Sequence, residues 1–415
     1  MRVACAGVRM NRLPAVPTLL TVLTAVLPLS SHLFAGEPRV AGSQVIRVDC
    51  DFPGGNIVLD SIQGDTVTVH QDLRDTAGDW FYWYFRVRGA GGRTLTFRFS
   101  RGNPIGVLGP AVSADAEKSW RWLGRQAVNG SAFRYVFAPD ANDVRFCLSI
   151  PYLESNLREF LQRHRGDSRL KADVLCKTKK GRNVELLRLG RLDGDADHRV
   201  LLTCRHHACE MIASYSLEGI MDEVLAPTRD GRWLREHVEF LAIPFMDKDG
   251  VEDGDQGKNR KPHDHNRDYA GESIYPSVRA LRETVPKWSR GRLDVALDLH
   301  CPFIRGDYNE FVYFVGGPEK ENWDRVGEFS RILEVVQSGP LVFKAENNLP
   351  FGKAWNVNEG PARSFSRWAA DLPRVRIASS IEIPYANASG TTVTAENARA
   401  LGRDLAKALR RYLAE

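Results

Sequence analysis

The stretch Val200-Leu201-Leu202-Thr203-Cys204-Arg205-His206-His207-Ala208-Cys209-Glu210 decides the fold. Its first five residues read as a buried strand. The residues that follow, Met211 to Leu225, set Ile212, Tyr215, Leu217, Ile220, Met221 and Val224 at helical spacing. His207 and Glu210 therefore stand where a central strand turns into a helix. In open α/β sheets ligands bind on that side, outside the carboxyl ends of the strands. An imidazole and a carboxylate three residues apart can converge on one metal ion. A catalytic zinc takes three protein ligands and leaves a fourth position for water.

Downstream of this stretch, strand and helix patterns alternate. Val238 to Pro244, Leu293 to Leu299, Phe311 to Val315 and Ile377 to Ile383 read as strands, and 277–285, 318–336 and 396–413 as helices. Such alternation implies a mixed or mostly parallel sheet with helices on both faces. Upstream, residues 45–150 hold short, mostly alternating strands with Gly, Pro, Asp and Asn between them, which suggests a β-sandwich. Its densest strand is Trp80-Phe81-Tyr82-Trp83-Tyr84-Phe85. Rings fall on both faces of that run, so one face is expected in the sandwich core and the other either against the next domain or lining a surface. Pro151-Tyr152 marks the boundary. The expected organisation is a signal peptide at 1–35, an antiparallel β-sandwich at 45–150 and an α/β/α catalytic domain at 151–415.

The first 35 residues resemble a secretory signal: Arg2, Arg9 and Arg12 precede an apolar run from Val16 to Leu29, and Phe34-Ala35-Gly36 offers a cleavage point. Export to the periplasm or the extracellular space is the expectation. Cleavage would remove three arginines and no acids, so the net charge would fall from +5 to +2. Basic charge is not clustered, and no nucleic-acid footprint is expected. No run in the body of the chain reaches the length of a membrane span. Of seven cysteines, Cys5 lies in the leader; Cys50, Cys147, Cys176, Cys204, Cys209 and Cys301 read as small buried residues.

Other strand ends carry polar residues that a core would not hold. Leu293 to Leu299 runs into His300, a natural third ligand beside His207 and Glu210. Asn266-Arg267 sets an amide beside a planar guanidinium, a pair able to clamp a carboxylate. Glu382 lies between Ile381 and Ile383, where a carboxylate is costly unless it is used or paired.

His207-Ala208-Cys209-Glu210, Phe245 to Val251, Asp264-His265-Asn266-Arg267, Asp298-Leu299-His300 and Glu382 stand in an order that resembles the zinc metallocarboxypeptidases. The chain is most similar to the cytosolic-carboxypeptidase-like branch, which includes tubulin deglutamylases. Gly55-Asn56-Ile57, Trp80-Phe81-Tyr82 and Ile150-Pro151-Tyr152 resemble that branch's sandwich and junction motifs. The resemblance implies one zinc per chain held by His207, Glu210 and His300. It implies that Asn266 and Arg267 hold the C-terminal carboxylate of a peptide or protein and that Glu382 is the general base. Asp264 would orient His207, and Arg260 would polarise the scissile carbonyl. In the deglutamylase branch an arginine ahead of the base strand faces an acidic side chain. Gly360-Pro361-Ala362-Arg363 resembles that segment, which makes Arg363 the expected selector, with Arg367 as rival. Cys209 stands where the digestive members have arginine, and Asp247-Lys248-Asp249-Gly250 replaces their Asn-Pro-Asp-Gly turn. Three other readings stay open: an N-acyl amino acid deacylase, a peptidoglycan-peptide amidase or carboxypeptidase, and an inactive binding module.

Overall fold

The computed structural model describes residues 45–357 and 362–415, so the presumed leader and the segment Gly360-Pro361 lie outside the described residues. Seven strands form the sheet that positions the site: β1 (Leu170–Lys177), β2 (Asn183–Gly190), β3 (His198–Cys204), β4 (Val238–Ile243), β5 (Val295–His300), β6 (Tyr313–Val315) and β7 (Ile377–Glu382). Their spatial order is β1-β2-β4-β3-β5-β7-β6. The central strands β4, β3, β5 and β7 are parallel to one another, β2 and β6 flank them antiparallel, and β1 pairs antiparallel with β2. The sheet is mixed, as the alternating pattern implied.

Burial along β3 explains the layering. Val200 and Leu202 pack on one face together with α1 (Met211–Leu225), α3 (Lys320–Val336) and α4 (Ala395–Ala414). Leu201 packs on the other face with Val278, Leu281 and Val285 of α2 (Pro276–Ser289) and with Phe365 and Trp368. Strands buried on both sides read as continuous apolar runs, which is why these four were visible in the sequence.

Residues 47–147 form two further five-stranded sheets. One pairing departs from the antiparallel expectation: Thr66–His70 runs parallel to Thr94–Phe99. The aromatic run divides as anticipated. Trp83 and Phe85 pack with Phe97, Phe99, Phe133 and Phe146 in the sandwich, while Phe81 meets Tyr385 and Phe303 at ring separations of 5.8 and 5.1 Å. Hydrogen bonds tie the sandwich to the seven-stranded part. Asn56 Nδ2 donates to Gly254 O at 2.7 Å, and Trp122 Nε1 donates to Val393 O at 2.7 Å. The six described cysteines are free thiols, four of them buried. Among the described residues no helix is long and apolar enough to cross a membrane.

Candidate metal centre

β3 ends at Cys204, and the chain turns sharply through Arg205, whose φ is +60°. A non-glycine residue is held in that region only when its surroundings enforce it. Here the buried guanidinium does so, donating to Ala208 O at 3.0 Å, to Tyr152 O at 2.8 Å and to Ser214 Oγ at 3.2 Å. The turn presents His207 and then Glu210, which stands immediately before the first residue of α1. His300 arrives from the end of β5, the neighbour of β3.

The three side chains meet. His207 Nδ1 lies 2.8 Å from Glu210 Oε1, and His300 Nδ1 lies 2.7 Å from Glu210 Oε2. One ligand atom from each residue falls within 4.8 Å of the others, and all three residues are buried. Burial alone would raise the Glu210 carboxyl, but the two imidazoles outweigh it and hold the group far below the ordinary carboxylate range. Burial also opposes charge on both histidines. Glu210 nonetheless shifts His207 upward, and Asp298 with Glu210 shifts His300 upward. A buried carboxylate with two Nδ1 atoms turned toward it is a donor set that fits a divalent metal.

The far nitrogens are oriented too. His300 Nε2 lies 2.5 Å from Asp298 Oδ2, and His207 Nε2 faces Asp264 Oδ1 across 3.7 Å. Carboxylates behind ligating imidazoles fix tautomer and ring orientation. Asp298 also accepts from Thr203 Oγ1 at 2.8 Å and meets His206 Nδ1 at 2.8 Å, while His206 Nε2 meets the Tyr269 hydroxyl at 2.7 Å. Both His206 nitrogens are thus engaged. His206, Asp298 and His300 form a hydrogen-bonded chain rather than a second metal cage.

The remaining expected residues separate into two groups. Asn266, Arg267 and Glu382 line the same cleft as His207 and His300. Asn266 Nδ2 is 3.3 Å from His300 Nε2, and its Oδ1 accepts from Phe365 N at 3.0 Å. Glu382 is 6% exposed, its Oε2 has no hydrogen-bond partner, and burial pushes its carboxyl upward. Arg260 and Arg363 do not line this cleft. Arg260 is held by Asp247 at 2.6 Å, Asp255 at 3.0 Å and Asp75 at 3.4 Å, and it faces a separate cavity. Arg363 donates to Asp371 and, at 3.0 Å, to Arg367 O. Each guanidinium is paired with carboxylates away from this cleft. Two cations that do line the cleft are Lys258, which sequence reasoning missed, and Arg367, the rival to Arg363. Trp355 and Val357 complete the rim.

With this geometry in view, residues 156–287 match the family described as zinc carboxypeptidase. The chain carries a zinc carboxypeptidase domain. Mus musculus cytosolic carboxypeptidase 3 is 31% identical over 177 residues, 40% of this chain and 18% of that protein. Danio rerio cytosolic carboxypeptidase 2 is 24% identical over 294 residues, 62% of this chain and 40% of that protein. The chain therefore spans well under half the length of these curated relatives. Among solved structures, a metallo-carboxypeptidase from Burkholderia cenocepacia superposes with a TM-score of 0.74 at 19% identity, covering 89% of this chain and 99% of its own. A Pseudomonas aeruginosa metallo-carboxypeptidase in complex with (2-guanidinoethylmercapto)succinic acid gives 0.72 at 20% identity, covering 88% and 100%. At such identities these superpositions establish the shared fold, sandwich and mixed sheet together. The zinc carboxypeptidase domain sits beside relatives that are cytosolic carboxypeptidases, and this overturns the expectation of export. The pattern that suggested export lies outside the described residues.

Proposed function

We propose that the chain is a zinc-dependent metallocarboxypeptidase that hydrolyses the last peptide bond of peptides or proteins. In this reading residues 45–150 form a β-sandwich domain ahead of a catalytic domain at 151–415. One zinc per chain is held by His207, Glu210 and His300, with Asp264 and Asp298 behind the two imidazoles. The observation that carries the reading is the convergence of both Nδ1 atoms on Glu210 in a cleft shared with Asn266, Arg267 and Glu382.

A bound zinc would supply Lewis acidity, lowering the pKa of water and polarising the carbonyl. The protein's residues do the rest. Arg267 and Asn266 grip the free carboxylate, so only the final peptide bond reaches the reacting groups. Glu382 takes the proton of the attacking water and delivers it to the leaving amine. The preferred C-terminal residue is acidic, and Arg367 is the group that selects it.

The test is release of one residue from paired peptides that end in a free carboxylate or an amide, using zinc-loaded protein. Cleavage confined to the free carboxylate supports the carboxypeptidase reading. Equal cleavage of both, or cleavage of N-acyl amino acids alone, overturns it.

A further inference from the structure

With Arg260 bound to three carboxylates, the resemblance leaves the carbonyl oxygen without its expected cation. Lys258 is a cation of the same cleft. It lines the cleft with His207, His300 and Glu382, and it is half-buried. Its ammonium lies 5.8 Å from the centre of the Trp80 ring. Among the described residues no carboxylate pairs with it, and its charge acts on His207, Cys209 and Glu382.

The backbone around Lys258 is fixed from two directions. Gly257 has φ +79°, and a Cβ there would lie 2.1 Å from Ala208 N. Only glycine lets this loop lie flat on the loop that carries His207. From the sandwich, Asp75 accepts the N–H of Gln256 at 3.1 Å and of Gly257 at 2.8 Å, and Thr76 Oγ1 donates to Lys258 O at 2.6 Å. On the other side, Asn259 N donates to Asp264 Oδ2 at 2.9 Å, the same carboxylate that faces His207. The lysine is thus anchored to the metal loop and to the sandwich at once.

We propose that Lys258 is a catalytic residue that stabilises the oxyanion during peptide hydrolysis, and that Asp75 and Thr76 of the β-sandwich position it. The proposal rests on the metallocarboxypeptidase reading. As water oxygen bonds to the carbonyl carbon, the π pair of the C=O bond moves onto oxygen, and the ammonium meets that charge. Collapse re-forms C=O, breaks C–N and sends the proton held by Glu382 to the amine. A cation placed where charge develops, in a half-buried site, acts on the transition state more than on the bound substrate.

The experiment compares Lys258→Met, Lys258→Arg and Asp75→Asn with wild type, all zinc-loaded and checked for equal zinc content. The readouts are kcat and KM on a free-carboxylate peptide, and the affinities of a peptide phosphonate and of the free amino acid product. Lys258→Met is expected to lower kcat by about 10²–10³-fold and to weaken the phosphonate comparably, a loss typical of one removed oxyanion donor. KM and product affinity should hold. Lys258→Arg should recover much of the loss because it keeps the charge. Asp75→Asn should lower kcat by a smaller factor with KM unchanged. Full turnover by Lys258→Met, or equal weakening of phosphonate and product, overturns the oxyanion role alone. Absence of turnover by wild type overturns the metallocarboxypeptidase reading beneath it.

Discussion

His300 and Glu382 are register partners on the adjacent parallel strands β5 and β7. One residue is a metal-ligand candidate and the other a buried carboxylate with a free oxygen in the same cleft. Sheet pairing therefore fixes the spacing between these two side chains, and no loop has to close to bring them together. The neighbouring pair on the same strands, Leu299 and Ile381, is fully buried. A slip of one residue along β7 would turn Glu382 to the opposite face of the sheet, away from His300.

Glu382→Gln isolates the base. The amide keeps the shape and cannot accept a proton, so zinc content and the melting temperature should stay near wild type while kcat falls by roughly two to four orders of magnitude. Single-turnover measurement on a free-carboxylate peptide, beside metal analysis, checks this. Wild-type turnover in the variant would place the base elsewhere.

Metal removal tests the cage. Wild type should bind one zinc per chain, and His300→Ala should lose most of it, because three ligands are the minimum for a catalytic site. Stripping zinc with a chelator should lower the melting temperature, and returning zinc should restore it, by linkage of binding to folding. Metal must displace protons from both imidazoles, so zinc affinity should fall as pH falls. His300→Ala that keeps a full equivalent of zinc would refute the ligand set.

What was legible in the sequence was whatever the backbone decides locally. Runs such as Val200 to Cys204 and Leu293 to Leu299 are buried on both faces and cannot be anything but central strands, so the polar residues at their ends stood out. Lys258 did not stand out. It lies among Asp255, Arg260 and Lys261, a stretch that reads as solvated charge, and contacts with Asp75 and Thr76, some 180 residues away in sequence, decide its placement. Arg363 and Arg367 are four apart and look equivalent. Asp371 takes one of them out of the cleft, a choice that no spacing rule encodes. The helix Arg229–His237 went unread because its apolar content is thin, and its start rests on Thr228, which accepts from Gly231 N at 2.9 Å.

pH dependence of stability should report on His265. The ring is buried, stacks on Tyr275 at 3.6 Å between centres, and leaves Nδ1 without a hydrogen-bond partner. Burial pushes its pKa down to about 4, although Asp247 nearby acts in the opposite sense. Unfolded, it titrates near 6.5. Between those values the unfolded chain binds more protons than the folded one. The contribution is therefore complete above about pH 6.5 and is lost as pH falls toward 4, up to about 3 kcal/mol. His265→Phe keeps the stack and cannot titrate, so its denaturation midpoint should change less across that window than wild type. Parallel curves for the two proteins would remove His265 as the cause.

Arg367 should govern which residue is released. Its guanidinium lies 5.2 Å from the Phe351 ring centre and lines the cleft beside Ser364 and Ser366, opposite no described carboxylate in that lining other than Glu382. A fixed cation in a partly dry pocket favours Glu or Asp at the C-terminus and disfavours Lys or Arg, since juxtaposed like charges are costly. Arg363 donates instead to Asp371. The measurement is kcat/KM on peptides that end in Glu, Leu and Lys, for wild type, Arg363→Ala and Arg367→Ala. Arg367→Ala should lose about 10–100-fold on Glu, gain on Lys and change little on Leu, the scale set by one charge-assisted contact. Arg363→Ala should lower all three together through loop disorder. If Arg363→Ala alone loses the preference for Glu, the two assignments exchange. If neither variant changes the ratio of Glu to Leu cleavage, the acidic preference is wrong.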